Sequence, residues 1–123
     1  FYASPFEPVA GFRVAAIFAP QNRARVESAI REEIERAVKG GFSAEEVEGG
    51  KKGILQSRRL ARTQDRALAS RIASYLYLGR SFAWDIELES KIAALTPEQV
   101  NAALRKYIDP AKLSLVLAGD FKK

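Results

Sequence analysis

Five arginines, Arg58, Arg59, Arg62, Arg66 and Arg71, crowd one stretch of this 123-residue chain. If a single helix runs through them, Arg58, Arg62 and Arg66 fall at i, i+4 and i+8 on one stripe. Guanidinium groups in such a row fit an acidic peptide, a sister domain or a phosphate backbone. The plainer reading is a solvated face balanced by Asp65 and nearby acids, and that reading is preferred, because exposed ion pairs contribute little. The row is therefore kept as a candidate contact surface.

Other chemistry is limited by what the sequence lacks. It has no His, no Cys and no Met. Without His the commonest neutral-pH base and metal ligand is missing. Without Cys there is no disulfide, thiolate nucleophile or sulfur-bound zinc. Ser43, Ser57, Ser70 and Ser81 have no imidazole partner, and Ser43 reads as a helix cap. The carboxylates Glu45, Glu46 and Glu48, and the pair Glu87 and Glu89, read as ordinary helix-surface charge rather than an acid–base pair. Residues 49–53 (GGKKG) lack the spacing of a phosphate-binding loop. No catalytic and no metal-ligating residue is assigned.

The elements that position these groups follow from periodicity. Residues 1–6 and 11–19 (GFRVAAIFA) read as a pair of strands, the second apolar enough for burial on both faces. Val26, Ile30, Ile34 and Val38 recur at helical spacing, with Asn22 as the candidate cap and Gly40-Gly41 as the stop. Ser43-Ala-Glu-Glu46 is a capping box that opens a second helix. That helix contains Gly49, Gly50 and Gly53, which close packing against a neighbour would explain. A third helix begins at Thr63 or Asp65 and ends at Gly79, with Leu68, Ile72, Tyr75 and Leu76 on one stripe. Trp84, Leu88, Ile92 and Leu95 mark a fourth. Thr96-Pro-Glu-Gln99 starts a fifth, with Val100, Leu104 and Tyr107 inward, and Asp109-Pro110 stops it. Residues 113–118 (LSLVLA) read as a last strand.

This order predicts an α+β fold: a small, largely antiparallel sheet with several helices packed on one face. One domain spans residues 1–123. No stretch approaches the length of a membrane span. The formal charge of +5 permits nucleic-acid binding. However, Tyr75, Tyr77, Trp84 and Tyr107 fall at core spacing rather than as a stacking platform, so no nucleic-acid partner is expected. The absence of Met, with Phe1 opening straight into a strand pattern, points to a piece of a longer unit.

Ile92-Ala-Ala-Leu-Thr-Pro-Glu-Gln-Val100, then Tyr107-Ile-Asp-Pro110, then Leu113-Ser-Leu-Val-Leu-Ala-Gly-Asp120, resembles the closing segment of a pitrilysin/insulinase-family domain. Gly41-Phe-Ser-Ala-Glu-Glu-Val47 resembles the opening of that family's long helix. The stretch from Arg71 to Gly79 resembles the helix that follows. The resemblance covers nearly the whole chain and rests on the order of motifs that are individually common. It implies half of a repeated α+β domain, two or four of which enclose an unfolded peptide. It also implies that zinc is held elsewhere, by an inverted His-x-x-Glu-His helix that this chain lacks. The position of the family's third ligand falls at Gln56 or Ser57, neither of them anionic. The resemblance thus implies a non-catalytic repeat whose partners are a catalytic zinc-binding domain or subunit and a peptide substrate. The substrate-gripping Arg…Tyr pair of such repeats would lie ahead of Phe1, so no residue here takes that role. A homo-oligomer is expected from the exposed edges of so small a sheet. The cell compartment is not legible.

Overall fold

The computed structural model describes residues 1–4 and 6–120. Its elements are β1 (Tyr2–Ala3), β2 (Ala10–Gly11), α1 (Arg23–Gly40), α2 (Ala44–Ala61), α3 (Asp65–Leu78), α4 (Phe82–Ala94) and α5 (Pro97–Tyr107). Short 3-10 turns cover Pro20–Asn22 and Pro110–Lys112.

The helix boundaries follow the capping chemistry. The Ser43 hydroxyl accepts from the Glu46 N–H at 3.2 Å, and the Glu46 carboxylate accepts from the Ser43 N–H at 2.8 Å. Thr96 and Gln99 repeat the exchange at 3.3 and 3.0 Å ahead of α5. Together these satisfy amides that a bare helix start leaves without partners. Gly41 (φ 75°) and Gly79 (φ 63°) end α1 and α3 in the left-handed region. A side chain at position 41 would also collide with Asn101. Asn22 sits at the predicted N-cap of α1 but caps nothing with its side chain. Ser81, which sequence reasoning passed over as a cap, accepts from the Ala83 N–H at 3.3 Å and starts α4.

The predicted α+β architecture is not found. Five helices dominate, and among the described residues the only sheet is one antiparallel pairing, Tyr2 with Gly11 and Ala3 with Ala10. The strand expected over residues 1–6 shortens to β1, with Pro5 outside the described residues. Of residues 11–19 only Gly11 belongs to a ladder, and residues 113–118 form no strand. The reason is that a strand needs a hydrogen-bonded neighbour. Residues 12–17 and 113–118 make no backbone hydrogen bonds among the described residues. The apolar run read as doubly buried is in fact open to solvent at Val14 and Ile17.

Contacts divide the chain into two compact units. One comprises Phe1–Gly41 with Asn101–Lys123, and the other comprises Phe42–Val100. In the first, Ile30 and Ile34 of α1 face Phe12, Val14, Leu113 and Leu115 across a cavity of about 170 Å³, and Ile108 is the buried apolar anchor. In the second, Val47 and Tyr75 are buried, and the Lys51 ammonium donates to the Leu95 carbonyl at 3.0 Å, tying α2 to the end of α4.

Two further expectations about packing fail. Side chains added at Gly49, Gly50 or Gly53 would meet nothing within 4 Å, so these glycines do not mark a tight helix contact. Of the four aromatics assigned to the core, only Tyr75 is buried; Trp84, Tyr77 and Tyr107 are exposed.

Candidate functional site

The densest polar chemistry lies in the second unit, where three i, i+4 pairs converge. Arg58 and Arg62 come from the end of α2, Arg71 and Tyr75 from α3, and Asp85 and Glu89 from α4. Residues four apart share a helix face, so each helix presents two groups to the other helices.

Asp85 is the hub. It is 3% exposed, the one buried charged residue among those described. Its Oδ1 accepts from the Tyr75 hydroxyl at 2.6 Å and from the Arg58 guanidinium, and its Oδ2 accepts from Arg71 at 3.2 Å. Glu89 is held by both α2 arginines: Arg58 Nε donates to Oε1 at 3.0 Å, while Arg62 engages both oxygens, one at 3.2 Å. No buried side-chain polar atom is left without a partner among the described residues.

The electrostatics follow the contacts. Hydrogen bonding from Arg62, reinforced by Arg58, holds the Glu89 carboxyl below its usual range. The Glu89 bond in turn raises Arg62. Burial, then the bond to Asp85, pushes the Tyr75 phenol up. The Tyr75 ring also meets Phe82 and Trp84 edge-on, at centroid distances of 5.7 and 6.0 Å. The Arg80 guanidinium lies 4.5 Å over the Trp84 ring. All these groups are engaged with one another, so the cluster works as a clamp holding α2, α3 and α4 together.

This geometry splits the predicted arginine stripe. Helix α2 ends at Ala61, so Arg58 and Arg62 remain on one face while Arg66 lies exposed on α3. The counter-charges of Arg58 and Arg62 come from α4 rather than from Asp65, and Glu89 is a paired group rather than a solvated one. Matching opposite charges at i, i+4 on α2 and α4 was the available signal. Sequence reasoning treated each helix alone and missed Asp85, Tyr75 and Glu89.

Beside the clamp, Lys52, Gln56, Arg59, Ile86 and Ser90 help line a groove of about 640 Å³ between α2 and α4. Lys52 and Arg59 are exposed there and form no ion pair among the described residues. Gln56 and Ser57 are both exposed on α2. Among the described residues no group of three or more metal-ligating side chains gathers, and no helix is long and apolar enough to cross a membrane.

A second feature lies in the first unit. Residues 13–16 and 114–118, with Phe18 and Ile30, line a cleft of about 610 Å³.

No protein family, no curated protein and no solved structure matches this chain.

Proposed function

We propose that this chain is a non-catalytic domain of a pitrilysin-type zinc metallopeptidase, which helps complete the substrate chamber, contacts peptide and assembles with a zinc-bearing domain or subunit of the same family. The observation that carries the reading is the order of its motifs: Gly41 with the Ser43 box, Gly79, the Thr96 box and Asp109-Pro110. Each of these falls at a helix boundary in the fold. The support is confined to this helical portion. Histidine is absent from the sequence, and neutral Gln56 and Ser57 stand where the family would place its third ligand, so zinc chemistry belongs to the partner. The cationic groove lined by Lys52 and Arg59 suits acidic side chains on a bound peptide.

The test is reconstitution. The chain is incubated with zinc and an unfolded peptide, alone and with a family subunit that carries the His-x-x-Glu-His helix. The expected result is no cleavage by the chain alone and zinc-dependent cleavage that rises when the two are combined. Zinc-dependent cleavage by the chain alone would overturn the reading, as would a zinc subunit indifferent to its presence. A purely structural role is favoured over peptide contact if Lys52→Glu with Arg59→Glu leaves the KM for an acidic peptide unchanged.

A further inference from the structure

The chain exposes 10004 Å² of surface. Two separate globules of half its length would expose only about 7,900 Å² between them. Even with the two units counted apart, about 2,100 Å² more is open than compact folding leaves. A standard protein–protein interface hides about 800 Å² on each partner, so the surplus is ample for a stable dimer.

The backbone marks which segments lack a partner among the described residues. Residues 12–17 and 113–118 flank one cleft, and neither segment hydrogen-bonds its backbone among the described residues. Each such donor and acceptor needs a partner or water. Ile17 and Val116 are 106% and 87% exposed beside them. Residues 14–17 (VAAI) and 113–118 (LSLVLA) are uncharged, free of Pro and apolar except for Ser114, with Arg13 the one charge in the first segment. Such segments pair with their own kind.

We infer that the occupant of this cleft is the 113–118 segment of a second copy of the chain. The exchange is self-consistent. Each copy inserts this segment between residues 12–17 and 113–118 of the other, which gives a four-stranded interleaved sheet. The two 113–118 segments pair antiparallel at its centre, across a two-fold axis, and the 12–17 segments form its edges. A two-fold contact of this kind uses the same patch on both copies, and here it places no charged side chain in the central pair. The inference is independent of the peptidase reading, because it concerns the 123-residue chain with itself.

The experiment is sedimentation equilibrium on the 123-residue chain, with cross-linking. The expected species has twice the chain mass. Val116→Lys places two ammonium groups near the axis and weakens the dimer at least roughly tenfold. Leu76→Lys, an exposed α3 position in the other unit, leaves it unchanged. Because the chain has no Cys, Val116→Cys is a clean probe, and mild oxidation should join two copies through that position. This second variant keeps the test decisive if Val116→Lys fails to fold, as judged by far-UV circular dichroism. A monomer at about 100 µM, well above the micromolar dissociation constants of weak specific pairs, would overturn the inference and leave the cleft to a different polypeptide. So would a dimer that Leu76→Lys disrupts as strongly as Val116→Lys, or a Val116→Cys chain that does not cross-link.

Discussion

The two units solve the same problem in opposite ways. In Phe42–Val100, three helices of modest apolar content are held by a polar hub in which Asp85 and Glu89 have donors on every side. In the other unit the apolar side chains are plentiful, yet two backbone segments have no ladder partner among the described residues. A buried charge demands specific partners nearby, so its surroundings are built locally and completely. A strand demands only another strand, and that partner can come from anywhere, including another molecule. The first unit is accordingly the part of the chain whose backbone is left open among the described residues, and the second is the part closed by its own contacts.

The strongest way to break that contrast is to remove the hub. Asp85→Ala leaves Arg58, Arg71 and the Tyr75 hydroxyl without their shared acceptor, and losing one member of a buried ion pair costs about 3–5 kcal/mol. The expected outcome is a large fall in the urea midpoint followed by Trp84 fluorescence, since the single tryptophan lies in this unit. A change below about 1 kcal/mol would show that the hub is not what holds the helices.

A sharper cut is Tyr75→Phe, which removes one hydrogen bond and keeps the ring against Phe82 and Trp84. A loss of about 1–2 kcal/mol is expected, read from the same urea curve. Ser43→Ala dismantles the capping box at the start of α2 and should cost about 1 kcal/mol. The smallest effect has the opposite sign. Gly50→Ala adds a methyl that meets nothing on α2 and should raise stability by about 0.5–1 kcal/mol in thermal unfolding.

Acid sharpens the comparison further. Glu89 has its folded pKa depressed by Arg62 and Arg58. A depressed carboxylate contributes stability that is present above its unfolded value and is lost as pH falls through the folded one. As pH falls below the ordinary glutamate value of about 4.3, the second unit should therefore lose stability, and Glu89→Gln should flatten that slope. The slope is measured by urea titration at each pH.

Much of the helical part was legible in the sequence because caps are local. Ser43, Thr96, Gly41 and Gly79 act within a few residues, so their spacing alone sets where α2 and α5 begin and where α1 and α3 end. The sheet was not legible, because the apolar runs at 11–19 and 113–118 state a preference for strand without stating a partner. Helical spacing likewise identified Tyr75 as inward but misplaced Tyr77 and Tyr107. A stripe says which side chains share a face, not whether anything covers it. The hub required pairing three helices at once, and nothing in the spacing along one helix reveals that Asp85 lies opposite Arg58.

The division of the chain also carries a consequence for how it is made. Phe42–Val100 is continuous in sequence, whereas the other unit is assembled from two stretches, one on either side of it. During synthesis the helices around Asp85 can close as soon as residue 100 has emerged. Ile108 and residues 113–118 become available to α1 only after the whole helical unit has been made, and bringing them together means closing a long loop. Until then residues 14–17 wait, apolar and with no backbone hydrogen bond among the described residues. On a crowded polysome they would meet the same segment of a neighbouring nascent chain before residues 113–118 of their own chain exist.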